Sequence, residues 1–310
     1  MQKAGVNNPG FFVENETLKP VEKTPQICYS TGMENSRLEA LFKLLTTEDV
    51  AHRPLLRGEV AAALRENPSG VRTALAEQFP GKTPKPVLHI LEEIFWENIT
   101  NGLARFSAKI NPDLEEGLAL LSQFTDPSVT LPELSAQLDD LARAVRPALV
   151  NAVGYTAVAQ VLGKYLFGTL QFVTRPARLD LAEVSFSQVL QRRRGSCLCM
   201  ACLYVVIATR YGLDINVVDV AGRILVHLQE PETAQSLLID PLDNGKILSE
   251  ADCRQYVAAR QLAWDPAFLT PMTSRQIVRR LLANMIFVLN QTHDERRLTQ
   301  VRRYLEIVKN

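Results

Sequence analysis

Gly195-Ser196-Cys197-Leu198-Cys199-Met200-Ala201-Cys202-Leu203-Tyr204-Val205-Val206-Ile207-Ala208 is the stretch whose reading decides the fold, because it sets a cysteine where a buried helix begins. Ser196 is suited to the N-cap. A helix start carries partial positive charge and unpaired backbone N–H groups, and Arg192, Arg193 and Arg194 stand just ahead, so both features favour a thiolate at Cys197. Outward from this helix, Gly212 to Leu228 reads as two β-rich runs around a small turn. Leu237-Leu238-Ile239-Asp240-Pro241 follows, an apolar strand ending in a carboxylate, which is the second component a thiol-based acyl-transfer site uses.

Gly195-x-Cys197 with Ala201, then Tyr211-Gly212-Leu213, two strands and Ile239-Asp240-Pro241, resembles the core of the transglutaminase-like superfamily. Arg193-Arg194-Gly195, the strand Gly222-Arg223-Ile224-Leu225-Val226 and Asp240-Pro241-Leu242-Asp243-Asn244-Gly245 narrow the likeness. They resemble the SirB-type (invasion-regulator) branch, bacterial proteins whose core is followed by tetratricopeptide-like helices. The resemblance spans roughly residues 112 to 310 and is sharpest over 188 to 250. It implies a papain-like α+β core and a Cys, His, Asp catalytic set, in which Cys197 and Asp240 match the first and third members. The histidine position falls on Arg223, whose guanidinium keeps its proton near neutral pH and cannot act as a general base. SirB-type proteins typically lack the cysteine as well, so the resemblance implies a fold more than a reaction.

His227 is the histidine nearest in sequence to the missing base, but it lies four positions beyond Arg223, about 13 Å along the same strand face. Its expected role is structural. His52, His89 and His293 are remote and carry no local signature. Cys197-x-Cys199-x-x-Cys202 has a spacing that invites a metal, yet on a helix Cys199 and Cys202 lie about 60° apart while Cys197 stands about 140° or more from both. No metal and no cofactor are expected, and Cys199 and Cys202 read as small core residues.

The 310 residues are 46% apolar, enough for a full core and for more than one structural unit. Thirty-four basic side chains balance thirty-four acidic ones, so bulk charge steers the chain neither to nucleic acid nor to an anionic membrane. Five cysteines, three of them clustered, read as reduced thiols in a cytoplasmic protein. The start, Met1 to Gly10, shows no continuous apolar run of the secretory kind. Ala148 to Val173 is interrupted by Asn151, Gln160, Lys164 and three glycines, which fits a core helix ending near Gly168 better than a membrane span.

Residues 1–34 read as a poorly ordered arm whose Phe11-Phe12-Val13 could dock. Residues 35–110 carry helical stripes, including Leu38, Leu41, Phe42, Leu44 and Leu45, punctuated by prolines and resembling a degenerate HEAT-like array. Residues 111–270 form the expected transglutaminase-like domain. It opens on helices capped near Asp113, with Glu115, Glu116, Asp139 and Asp140 read as exposed, and includes a later helix capped by Ser249 with Asp252. Residues 271–310 read as a tetratricopeptide-like helical pair, with eight basic side chains against three acidic ones, about +5, which reads as a solvated surface balanced by the acidic helix at 113–116 more than as a grip for an acidic partner.

The expected architecture is therefore α+β: a helical N-terminal half, a helix at 197–210 packed on an antiparallel sheet that includes 215–229 and 236–240, and a C-terminal helical pair. The expected function is that of a degenerate transglutaminase-like scaffold or regulator acting through a protein partner, with no nucleic acid or membrane partner and its oligomeric state left open. Two alternatives stand beside it. One is a cysteine-dependent acyl-transfer enzyme using Cys197, His227 and Asp240, and the other is a redox-sensitive thiol at Cys197.

Overall fold

The computed structural model describes residues 27–46, 52–81, 83–174, 179–229 and 236–309, so Phe11-Phe12-Val13 and most of the stretch read as an arm lie outside the described residues. The chain divides into two units between Leu91 and Glu92. In the first, α1 (Ile27–Thr46), α2 (Arg53–Glu66) and α3 (Pro68–Gln78) pack on one another. Helix α1 begins at Ile27, inside the stretch read as an arm. Leu38, Leu41, Phe42 and Leu45 form its buried stripe, whereas Leu44 is 53% exposed. At 3.6 residues per turn Leu44 sits about 110° from the centre of that stripe. Asn67 caps α3 by accepting from the Gly70 N–H at 2.8 Å.

Helix α4 (Lys85–Ala108) contains the division, and from Glu92 onward the chain forms the second unit. There α5 (Leu114–Ser122) and α6 (Leu131–Leu149) are followed by α7 (Tyr155–Gly163), a π-helical turn (Lys164–Thr169), α8 (Leu181–Val184) and α9 (Phe186–Arg192). Asp113 caps α5, and Thr130 with Glu133 forms a capping box at α6. The helix expected to end near Gly168 instead widens into the π-turn, closed by the Leu170 N–H on the Tyr165 carbonyl at 2.8 Å.

Helix α10 (Cys197–Thr209) is the centre of this unit, and every side chain from Leu198 to Ala208 is buried. A helix apolar on all sides needs cover on all sides. Strands β1 (Ile215–Val220) and β2 (Arg223–Gln229) pack on it from one direction, and α6 and α7 from others. With β3 (Ser236–Asp240) and β4 (Lys246–Leu248) these strands form an antiparallel sheet in the order β1-β2-β3-β4. Ala221 and Gly222 both have positive φ (50° and 90°), the two-residue turn that suits a tight hairpin, and this sets Val220 opposite Arg223. Strand alternation then splits the sheet. Val217, Ile224, Val226, Leu228 and Ile239 join the core around α10, while Val218, Val220, Leu225, Leu238 and Leu248 pack with Cys253 and Val257 of α11 (Glu250–Ala259). Ser249 and Asp252 cap α11 reciprocally.

Charged groups fasten the periphery. Arg210, at the end of α10, donates to both oxygens of Glu115 (2.6 and 3.1 Å) and to Asp139 (2.7 Å), tying α5 and α6 to the central helix. Glu115 and Asp139, read as exposed, are thus ion-pair partners, although Asp139 stays half open to solvent. Helices α12 (Ser274–Thr292) and α13 (Glu295–Ile307) form the expected pair. Much of their basic charge is already engaged: Arg296 and Arg297 meet Glu92, Arg280 meets Asp219, and Arg275 and Arg279 donate to backbone carbonyls. Among the described residues no helix is long and apolar enough to cross a membrane.

Candidate functional site

The start of α10 is sewn in place by backbone bonds from two distant segments. The Val173 N–H donates to the Arg193 carbonyl at 2.9 Å, and the Gly195 N–H returns to the Val173 carbonyl at 3.1 Å. The Ser196 N–H donates to the Glu183 carbonyl at 2.7 Å, and the Ser196 hydroxyl oxygen accepts from the Cys199 N–H at 3.3 Å, so Ser196 is the N-cap. Gly195 leaves no room for a side chain, since a Cβ there would lie 2.5 Å from Cγ2 of the fully buried Val189. Valine is short and branched and cannot swing aside. Gly195→Ala is therefore expected to destabilise the protein by about 1–3 kcal/mol, read as a lower urea midpoint with an unchanged slope.

The arginines ahead of Cys197 do not serve its thiol. Arg193, in the left-handed region at φ 52°, donates to the Leu170 carbonyl at 3.2 Å. Arg194 pairs with the carboxylate of Glu183, with Nε 2.5 Å from Oε1. That approach is an ion pair without hydrogen-bond geometry, and both Glu183 oxygens lack a hydrogen-bond donor among the described residues. Glu183 was not singled out from the sequence, although Asp180, three residues earlier, caps its helix by accepting from the Glu183 N–H at 2.9 Å, a recognisable local signal.

Cys197 is partly buried, and its Sγ–H points to the Ile224 carbonyl at 3.5 Å. Burial pushes its thiol up to about 12, the negative charge of Asp240 adds to that, and Arg223 opposes it. Desolvation penalises the thiolate more than the Arg223 guanidinium favours it. Cys199 is likewise pushed up to about 12 and Cys202 is raised, both through burial. Among the described residues no three His, Cys, Asp or Glu side chains are grouped so as to hold a metal ion.

Arg223 and Asp240 meet on the α11 face of the sheet. Arg223 opens β2 and Asp240 closes β3, which brings the guanidinium Nη2 onto Asp240 Oδ2. Asp240 is completely buried, and its other oxygen accepts from the Leu242 N–H at 2.9 Å. Both carboxylate oxygens are therefore engaged. Arg223 also lies over the ring of Tyr256, with Cζ 5.1 Å from the centroid, and its buried Nε has no hydrogen-bond partner among the described residues. Tyr256 is a neighbour that sequence reasoning passed over, since nothing local marks an α11 aromatic as facing β2.

His227 lies four residues along β2 and bonds across the sheet to Ser236 Oγ through Nε2. No hydrogen bond or ion pair among the described residues joins it to Cys197 or Asp240; Arg223 and Asp240 pair directly, whereas Cys197 is linked to them only through their charges. His52 and His89 belong to the first unit, and His293 ends α12 in the left-handed region. Burial lowers the His227 pKa, with Asp214 opposing. A depressed folded-state value means stability that is present above the ordinary value of 6.5 and lost as pH falls through the folded value. The urea midpoint is expected to decline modestly below pH 6.5, modestly because the half-exposed ring is screened, and His227→Gln should flatten that decline.

The arrangement is a helix N-terminus bearing a thiol, packed on an antiparallel sheet whose strands supply a cation and a carboxylate. Residues 132–283, from α6 into α12, match the family model of the transglutaminase-like superfamily. No curated protein and no solved structure matched the chain. Fold and match agree over one region, and residues 132–283 are similar to the transglutaminase-like superfamily.

Proposed function

We propose that this is a degenerate transglutaminase-like protein of the SirB-type branch that acts as a non-catalytic protein-interaction scaffold or regulator in the cytoplasm, with α12 and α13 as its tetratricopeptide-like pair. One observation carries this reading: the position that matches the superfamily histidine holds Arg223, and its guanidinium is committed to Asp240 beside a thiol that burial keeps protonated. A protein partner fits a balanced overall charge better than a polyanion does.

The test is hydroxamate formation from a blocked glutaminyl-glycine dipeptide and hydroxylamine. In that reaction a thiolate would displace ammonia from the carboxamide and pass the acyl group to hydroxylamine. Wild type and Cys197→Ala are expected to give the same background rate. Turnover that vanishes in Cys197→Ala would overturn the scaffold reading in favour of an acyl-transfer enzyme. That second reading has its own support, since Cys197 opens α10 close enough to Asp240 to feel its charge.

A further inference from the structure

The two edges of the sheet are finished differently. The outer edge of β1 is covered, with the 3₁₀ turn Pro266–Leu269 packed against it and the Met272 N–H donating to the Val217 carbonyl at 2.8 Å. The outer edge of β4 has no backbone partner among the described residues. It borders a cleft of about 530 Å³ between β4 and the π-helical turn, lined by Gln160, Lys164, Phe167, Asp243, Asn244 and Lys246 among others. Gly245, at φ 74°, holds the floor of the cleft together. A Cβ there would lie 3.0 Å from Gly163 Cα and 2.9 Å from the Phe167 ring, so the turn can approach α7 only as glycine.

The polar groups on the rim are unspent. Lys164 has no carboxylate within ion-pair distance among the described residues, and Gln160 and Asn244 have no side-chain hydrogen-bond partner there. Lys246 reaches Asp243 only at 3.8 Å, with both side chains more than half exposed, so that pair is weak. Two lysines and two amides, with the single carboxylate of Asp243 among them, therefore stand beside a strand edge left without a backbone partner among the described residues. An extended segment entering the cleft gains main-chain bonds from β4 and charge pairing from the lysines, a combination that gives affinity through the backbone and selectivity through side chains.

We propose that β4 is a docking edge for an extended, acidic segment of a protein partner, which adds as a fifth strand and presents its carboxylates to Lys164 and Lys246. The proposal rests on the scaffold reading and supplies the chemistry of the partner.

The experiment titrates the full ¹⁵N-labelled chain with acetyl-Glu-Val-Glu-Val-Glu-Val-amide and with its lysine counterpart, following amide shifts. Saturable shifts centred on Asn244–Leu248 and Lys164–Gly168 with the acidic peptide, and none with the basic one, are expected. The double variant Lys164→Glu, Lys246→Glu, in which both sites are exposed and the fold is undisturbed, should weaken acidic-peptide binding by at least about tenfold. N-methylation of alternate peptide residues should abolish binding, because strand addition needs those N–H groups while simple charge attraction does not. Absence of saturable shifts, retention of affinity by the charge-reversed variant, or indifference to N-methylation would each overturn the docking edge. The scaffold reading would survive any of these results, since it is decided separately by Cys197-dependent turnover.

Discussion

Replacing Arg223 by alanine is expected to cost about 3–5 kcal/mol, a large share of the roughly 5–15 kcal/mol that separates folded from unfolded chains. The asymmetry of burial produces this size. Asp240 is wholly enclosed and Arg223 is about a quarter exposed, so removing the arginine strands a carboxylate with one remaining donor, the Leu242 N–H. Removing the carboxylate instead leaves a cation that can turn toward water. Asp240→Asn should accordingly cost less than Arg223→Ala, and the double variant Arg223→Met, Asp240→Asn should be more stable than Arg223→Met alone. Urea unfolding of the wild type and these four variants measures the differences. Equal losses from Arg223→Ala and Asp240→Asn would mean that the arginine stabilises through its contact with Tyr256 rather than through charge.

Cys197 in the folded protein is expected to carry roughly a thousandfold less thiolate than an ordinary cysteine at the same pH, since its value moves from 9.0 to about 12. Iodoacetamide at pH 7.5, read by peptide mass spectrometry, should label Cys197, Cys199 and Cys202 only on unfolding. Rapid labelling of Cys197 alone, with a midpoint below the free-thiol value of about 8.5, would contradict the burial argument and support the enzyme or redox reading. Arg223→His refines the test. If the site is degenerate through that one side chain, the imidazole should speed labelling at Cys197, and an unchanged rate would count against a triad-like geometry. The raised thiols also bear on alkaline stability. Groups whose folded values lie above their unfolded ones contribute stability that is full below pH 9 and is lost as pH rises toward 12, so unfolding should become easier across that window.

The central helix, the β1–β2 hairpin and the Asp240 strand were legible because each is announced locally, by an unbroken apolar run capped by Ser196, by a small two-residue turn and by a β-rich run ending on a carboxylate. The capping pairs at Ser249 with Asp252 and near Asp113 were legible for the same reason. Other features had no local signature. Asp139 looked like one of two exposed carboxylates until α10 delivered Arg210 to it across 71 residues of chain. The basic C-terminal helices read as a charge-balanced face, but the carboxylates that engage them, Glu92 and Asp219, lie far away in sequence and not at 113–116. The widening of the helix at Lys164 depends on packing in three dimensions, and so does the desolvation that raises the Cys197 thiol. Sequence spacing reports faces and caps, not dielectric surroundings.

The threads that hold the beginning of α10 run from Val173 and Glu183 to the backbone of Arg193, Gly195 and Ser196, and none of them passes through the thiol of Cys197, the guanidinium of Arg223 or the carboxylate of Asp240. Shape and chemistry at this site therefore rest on separate groups: the backbone socket does not depend on the side chains it presents, so exchanging any of those three side chains should leave the frame at the start of α10 in place.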